Sequence, residues 1–223
     1  MASPSSFDDP NDCKNPLRYD LLSEKEQYGM YYEARKKASP KSKPNEIHNW
    51  AIHQVKNSPL RTEEGAKKAQ EESEKEFDER FGVLCLTANP TNHKMWESYG
   101  DNYKGFCVGF HSELLFPHLG GGGAVDYVNE LPIIYPKPRH SYEQQHLLLV
   151  FKKLEKWSFE EEYRTHKFYP YPVKIEDRLI QIPAKAYCEI ILGKNMDKKI
   201  SEELIGSLPE ELKHVKIIKQ EDL

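Results

Sequence analysis

Trp157-Ser158-Phe159-Glu160-Glu161-Glu162-Tyr163-Arg164 decides how the chain is read. Three acids stand inside an aromatic frame that closes on an arginine. On an extended segment, side chains alternate between two faces. Glu160, Glu162 and Arg164 then share one face, and Phe159, Glu161 and Tyr163 the other. Two carboxylates about 6–7 Å apart along one face, beside a guanidinium, suit a cleft better than a core. On a helix the same residues reduce to an i,i+4 surface pair, Glu160 with Arg164. The extended reading is the expectation here, with the strand running on through Tyr163 to Phe168.

Outward from the motif, a strand is expected over Val83 to Ala88 and another over Gly105 to Phe110. A third is expected from Ala124 to Tyr135, with further strands at Leu179 to Pro183, Tyr187 to Leu192 and Val215 to Lys219. Helices are expected within Leu17 to Lys37, over Glu46 to Lys56 and over Thr62 to Phe81. Thr62 is the N-cap of the last, and Gly82 its terminator. Shorter helices follow at Asn92 to Tyr99, Ser141 to Lys156 and Ser201 to Gly206. Helices thus crowd the first third, and a mixed, mostly antiparallel sheet fills the rest. The class is α+β, and residues 1–223 are read as a single domain.

Of the 223 residues, 38% are hydrophobic and 30% charged, a polar but globular balance. A net charge of -4 argues against a global electrostatic grip on nucleic acid. No apolar run approaches the roughly 20 residues that span a bilayer, and no signal peptide opens the chain. Cys85, Cys107 and Cys188 lie in apolar, strand-like runs and are read as buried free thiols, in keeping with a reducing cytoplasm. The nine histidines fit no ligand spacing, so no metal site is expected.

Like charges held close in a partly dry cleft suit acid/base work, and carboxylates stabilise an oxocarbenium-like transition state. Glu160, Glu162 and Arg164 are therefore the candidate catalytic residues, with Arg164 pairing an acid or gripping a phosphate. Trp96 and Tyr99 stand three apart on a short helix, and Gly105 closes the polar turn behind them. Stacking rings and backbone donors there suit a planar ligand, so Trp96, Tyr99 and Gly105 are the candidate binding residues. The competing readings are core anchors at Trp96 and Tyr99, and a salt-bridged strand end at the acidic motif. A metal-dependent nuclease or hydrolase, with Asp8, Asp9 or Asp12 joining the glutamates, stays open as well, as does a non-catalytic ligand-binding or interaction module.

Four separated motifs carry a family resemblance. They are Phe7-Asp8-Asp9-Pro10 with Asp12; Trp96-x-x-Tyr99 with Gly105-Phe106-Cys107-x-Gly109-Phe110; Trp157-x-x-Glu160-x-Glu162-Tyr163-Arg164; and Ile190-Ile191-Leu192-Gly193. In this order they resemble the bacterial domain of unknown function numbered 2971. The resemblance implies a soluble, mostly prokaryotic protein of mobile or defence-type gene neighbourhoods, without an established reaction. Members carry a Tyr-Arg-type strand ahead of the Phe-Asp-Asp-Pro region. That strand, and a basic active-site residue on it, are expected to be missing here.

At motif level, the aromatic-framed Glu-x-Glu also resembles ADP-ribosyltransferases. That resemblance implies Glu162 as the acid that stabilises the oxocarbenium ion and Glu160 as the residue that orients the acceptor. It places Trp96 and Tyr99 beside the nicotinamide, with NAD as substrate and no tightly bound cofactor. The acceptor, protein or nucleic acid, and the oligomeric state are left open. The Arg or His that such enzymes carry near the N-terminus has no counterpart.

Overall fold

The computed structural model describes residues 1–223. Three helices come first: α1 (Glu24–Ala38), α2 (Pro44–Asn57) and α3 (Glu63–Arg80). Each start is written in the sequence. The Ser23 side chain accepts from the Glu26 N–H while Glu26 reaches back to the Ser23 N–H, a reciprocal cap. Thr62 accepts from the Gly65 N–H, and Glu63 and Glu64 fill the positive end of α3. Tyr31, Ala51 and Val55 form a small core between α1 and α2.

The rest alternates short strands and helices: β1 (Phe81–Thr87), α4 (His93–Ser98), β2 (Phe106–Phe110), α5 (Ser112–His118), β3 (Gly123–Ala124) and β4 (Asp126–Val128). Next come α6 (Tyr142–Val150), β5 (Lys152–Leu154), β6 (Glu162–Phe168), β7 (Tyr187–Leu192), α7 (Lys198–Gly206) and β8 (Lys216–Lys219). The class is α+β. The strands form three small sheets, ordered β1-β6-β3, β2-β7-β8 and β4-β5. β1 and β6 run antiparallel in unbroken register from Phe81 opposite Phe168 to Thr87 opposite Glu162. β2 pairs antiparallel with β7, while β7–β8 and β4–β5 are parallel. No helix is long and apolar enough to cross a membrane.

The main core lies where α3 turns directly into β1. Phe77, Phe81, Val83, Val150 and Cys13 meet there, and the Phe77 and Phe81 rings stack at 4.2 Å. Phe81 belongs to the strand, so α3 ends at Arg80. Gly82 sits inside β1 rather than ending the helix, because the pairing with β6 captures the chain at once.

Three further expectations are corrected. Ala124 to Tyr135 is not one strand: Gly123–Ala124 pairs with β6, Asp126–Val128 with β5, and Ile134 makes an isolated parallel bridge to Leu17. The helix from Ser141 stops at Val150, since Lys152–Leu154 leave it to pair with β4. Leu179 to Pro183 forms no strand, and Leu179 is 79% exposed without a partner strand. The cysteines are also redistributed. Cys13 is the buried thiol; Cys107 and Cys188 are half-buried and Cys85 is exposed.

His146 and His166 flank Phe81, with ring centroids 4.8 and 6.2 Å away. Burial holds both imidazoles below their ordinary value of 6.5. A depressed folded-state value means that the unfolded chain takes up these protons first. Their contribution is complete above pH 6.5 and is lost as the pH falls. Urea denaturation should therefore give a lower midpoint at about pH 5.5 than at about pH 7.5. A His146→Leu/His166→Phe double variant should flatten that slope, and an unchanged slope would remove the two histidines as its cause.

Candidate active site

The acidic motif is extended only in its second half. Glu155–Glu160 form a short 3-10 turn, and Glu161 takes a left-handed conformation, φ 47 and ψ 51. β6 begins at Glu162. The single-strand reading of the motif is thus corrected, yet its consequence survives by another route. The left-handed residue turns the chain so that Glu160 and Glu162 converge. Asn89 holds it there, its side-chain amide donating to Glu161 Oε1 at 2.8 Å. Asn92 caps α4 and also donates to the Phe159 carbonyl, tying the turn to that helix.

Glu160, Glu162 and Arg164 are all buried, and they meet two residues that the motif does not contain, Lys153 and Asp12. Lys153 Nζ donates to Glu160 Oε2 and to Glu162 Oε2, the latter at 3.2 Å, and lies 3.4 Å from Asp12 Oδ2. Arg164 Nε donates to Glu162 Oε1 at 2.7 Å and its terminal nitrogen to Glu162 Oε2 at 2.9 Å. The other edge of the guanidinium grips both Asp12 oxygens and donates to the Val150 carbonyl. Such forked geometry is what a planar guanidinium offers two carboxylates. Burial alone would raise the Asp12 carboxyl, but Arg164 and Lys153 hold it below the ordinary range. Burial likewise opposes the charge on Lys153, and Glu160, Glu162 and Asp12 outweigh it, holding the ammonium above the ordinary lysine range.

Arg164 is wholly buried with every contact internal, so it grips no phosphate. Its two bonds to Glu162 hold that carboxylate in place. Tyr99 does reach the site: its hydroxyl donates to Glu160 Oε1 at 2.7 Å, while half of the residue stays exposed. Burial first, and then the Glu160 carboxylate, push its phenol above the ordinary range. Tyr127 accepts from the Glu162 N–H at 2.9 Å.

Trp96 and Gly105 do not reach the site. Trp96 is 5% exposed and stacks on Tyr103 at 5.9 Å, with the rings 6° from parallel. Its indole N–H is spent on the Pro90 carbonyl at 2.7 Å. Tyr99 caps α4 in helical conformation, its N–H donating to the Met95 carbonyl, but its ring turns to Glu160 while that of Trp96 packs on Tyr103. The Gly105 N–H donates to the Gly100 carbonyl, and its own carbonyl accepts from Gly193, which leaves no donor for a ligand. The indole that does stand beside the carboxylates is Trp157, with Lys153 Nζ 5.1 Å from its ring.

These groups form the floor of a cavity of about 600 Å³, with Phe7, Met95, Tyr99, Cys85 and Trp157 among its walls. Asp8, Asp9, Asp12, Glu160 and Glu162 line it against two side-chain cations, Lys153 and Arg164, with the N-terminal residue Met1 also in its wall. The cavity is therefore acidic as well as aromatic. Three of the acids already accept from Lys153 and Arg164, and no group of three or more His, Cys, Asp or Glu is disposed to hold a metal ion. No protein-family model, curated protein or solved structure matches this chain.

Lys153 escaped the sequence reading because it belongs to no motif with the glutamates; it looked like the tail of α6. Asp12 is read beside the glutamates only as a candidate metal ligand, and the structure instead sets it against Arg164 and Lys153.

Removing one partner of a buried ion pair leaves an uncompensated charge, at a cost of about 3–5 kcal/mol. Arg164→Met should lower the unfolding free energy by about that amount, and Arg164→Lys by much of it, since an ammonium cannot bridge two carboxylates with forked bonds. Denaturant titration checks both. A loss within experimental error would mean that the network adds nothing to the fold.

Proposed function

We propose that this cavity is the active site of an enzyme acting on a nucleotide-type substrate, most concretely by NAD-dependent ADP-ribosyl transfer. The observation that carries the reading is an excess of carboxylates on the floor of an aromatic-walled cavity. A planar cation is the group such a cavity attracts, through charge and through ring faces. The pyridinium end of NAD is such a cation.

In this reading the bond between the ribosyl C1′ and the nicotinamide nitrogen breaks, and its electron pair leaves with the nicotinamide. Positive charge passes to the ribosyl oxocarbenium ion, where Glu162 stabilises it. All three side-chain donors to Glu162, two from Arg164 and one from Lys153, fix its carboxylate in place before the reaction starts. Glu160 orients the acceptor, whose nucleophilic atom closes on C1′ and whose proton passes to the carboxylate as Tyr99 turns away. The motif-level resemblance to ADP-ribosyltransferases supports the same division of labour between the two acids.

A second reading has one observation in its favour. Lys153 bridges Glu160 and Glu162 and so offsets part of the charge that the reaction would use. A cavity so neutralised binds a cationic ligand without turning it over.

NAD turnover, measured as released nicotinamide, separates the two. Glu162→Gln should lower kcat by at least about a hundredfold, the loss seen when a charge-stabilising group is removed. Tyr99→Phe keeps the buried network and, because Tyr99 leaves Glu160 before the proton arrives, should not lower kcat and should change the unfolding midpoint little. Calorimetric binding of NAD without any nicotinamide release favours the second reading, and neither binding nor release ends both.

A further inference from the structure

The free edge of β1 offers the second feature of this site. β1 and β2 are each the outer strand of their sheet. Val83 already pairs outward, donating to and accepting from Ala2 at 2.9 and 2.8 Å. In an antiparallel ladder the outward-facing residues alternate, so the N–H and C=O groups of Cys85 and Thr87 point the same way. On the far side of the sheet, Val125 donates to the Glu162 carbonyl and Gly123 lies opposite Arg164, as this alternation requires.

The edge runs between two cavities. The acidic one lies over the face that carries Cys85, Glu162 and Arg164. A second, of about 420 Å³, lies over the opposite face, where Leu86 stands beside Tyr163. Both share Leu86, Thr87, Cys107 and Val108 as walls, so the space wraps around the edge of β1. The second cavity is mostly apolar, with Leu115 and Phe116 in its walls and Glu189 as its one charged residue. Glu189 has no ion pair, and no hydrogen bond to its side chain forms.

We infer that the β1 edge binds an extended peptide segment with two adjacent basic residues. A strand added at this edge sends successive side chains to opposite faces. One cationic side chain enters the acidic cavity beside Glu160 and Asp8. The next lays its apolar stem along Leu115 and Phe116 and brings its charged head to Glu189. The backbone bonds to Cys85 and Thr87 set the register. That this peptide is the acceptor of ADP-ribosyl transfer rests on the function proposed above; the binding itself does not.

The test is calorimetric titration, without NAD, of acetyl-Ser-Val-Arg-Arg-Val-Ser-amide into the whole chain. Saturable one-to-one binding is expected. A Glu-Glu counterpart should give no heat. Methylating the backbone nitrogens of both arginines should weaken binding by about tenfold or more, the effect of one charge-independent hydrogen bond lost together with its register. Glu189→Gln, with an unchanged unfolding midpoint, should weaken it by about tenfold. The inference is overturned by absent binding, by equal binding of the Glu-Glu peptide, or by indifference to N-methylation or to Glu189→Gln. A concentration-dependent dimer that excludes the peptide gives the edge to a second copy and overturns it too. Peptide binding without NAD turnover would sink the transferase reading alone; turnover without peptide binding would sink this inference alone.

Discussion

The guanidinium of Arg164 is the interaction on which the site and much of the fold rest. It sits at no exposure in the middle of β6 and joins segments far apart in the chain. Asp12 comes from the N-terminal loop, Glu162 from the start of its own strand, and the Val150 carbonyl from the end of α6. A buried guanidinium is tolerable only when its donors are satisfied. Satisfying them fixes where those segments run. The helix must stop at Val150 so that its last carbonyl can face the charge, and the chain then continues as β5. That places Lys153 against Glu160, Glu162 and Asp12. The second cation is thus a consequence of how the first one is housed.

A local strain completes the geometry. A left-handed residue other than glycine costs roughly 1–2 kcal/mol, and Glu161 adopts that conformation at φ 47. Neighbouring contacts hold it: its N–H donates to the Ser158 carbonyl at 3.2 Å, and Asn89 binds its carboxylate. The return is convergence. Along a continuous strand the outer two carboxylates of the motif would stand about 6–7 Å apart, each with its own surroundings. With the kink, both reach a single ammonium. Strain retained where charged groups are brought together is what a functional site would need, and what a surface salt bridge would not.

This division explains what was legible in the sequence. Caps and periodicity are local, so α1, α2 and α3 read well, and β7 matches from Tyr187 to Leu192. The acidic motif announced three members of the buried cluster because they are neighbours in the chain. The left-handed turn within it left no trace, since glutamate carries no preference for that conformation. Lys153 was hidden for a different reason. Its segment has helical periodicity, and only the distant strand Asp126–Val128 makes it β5. Trp96 and Tyr99 do not form one wall, because Tyr99 at the helix cap reaches Glu160 while the Trp96 ring is packed against Tyr103, a partner that spacing does not reveal. Trp157 stood inside the motif throughout, read there as frame rather than as wall.

The electrostatics of the cavity also constrain how a dinucleotide would lie in it. Five carboxylates against two side-chain cations would attract a pyridinium and repel a pyrophosphate. On the transferase reading the phosphates would stay outside the cavity; the exposed Lys156, 5.4 Å from the Trp157 ring and 3.8 Å from Asp9, is the nearest candidate to meet them. On the same reading the cationic ring would enter first. Once its bond to the ribose broke, the ring would be neutral and the ribosyl carbon would carry the charge. The acidic floor would then hold the ribosyl cation and no longer the nicotinamide. Charge that favours binding at one end of the proposed reaction would thus favour the transition state, and then release.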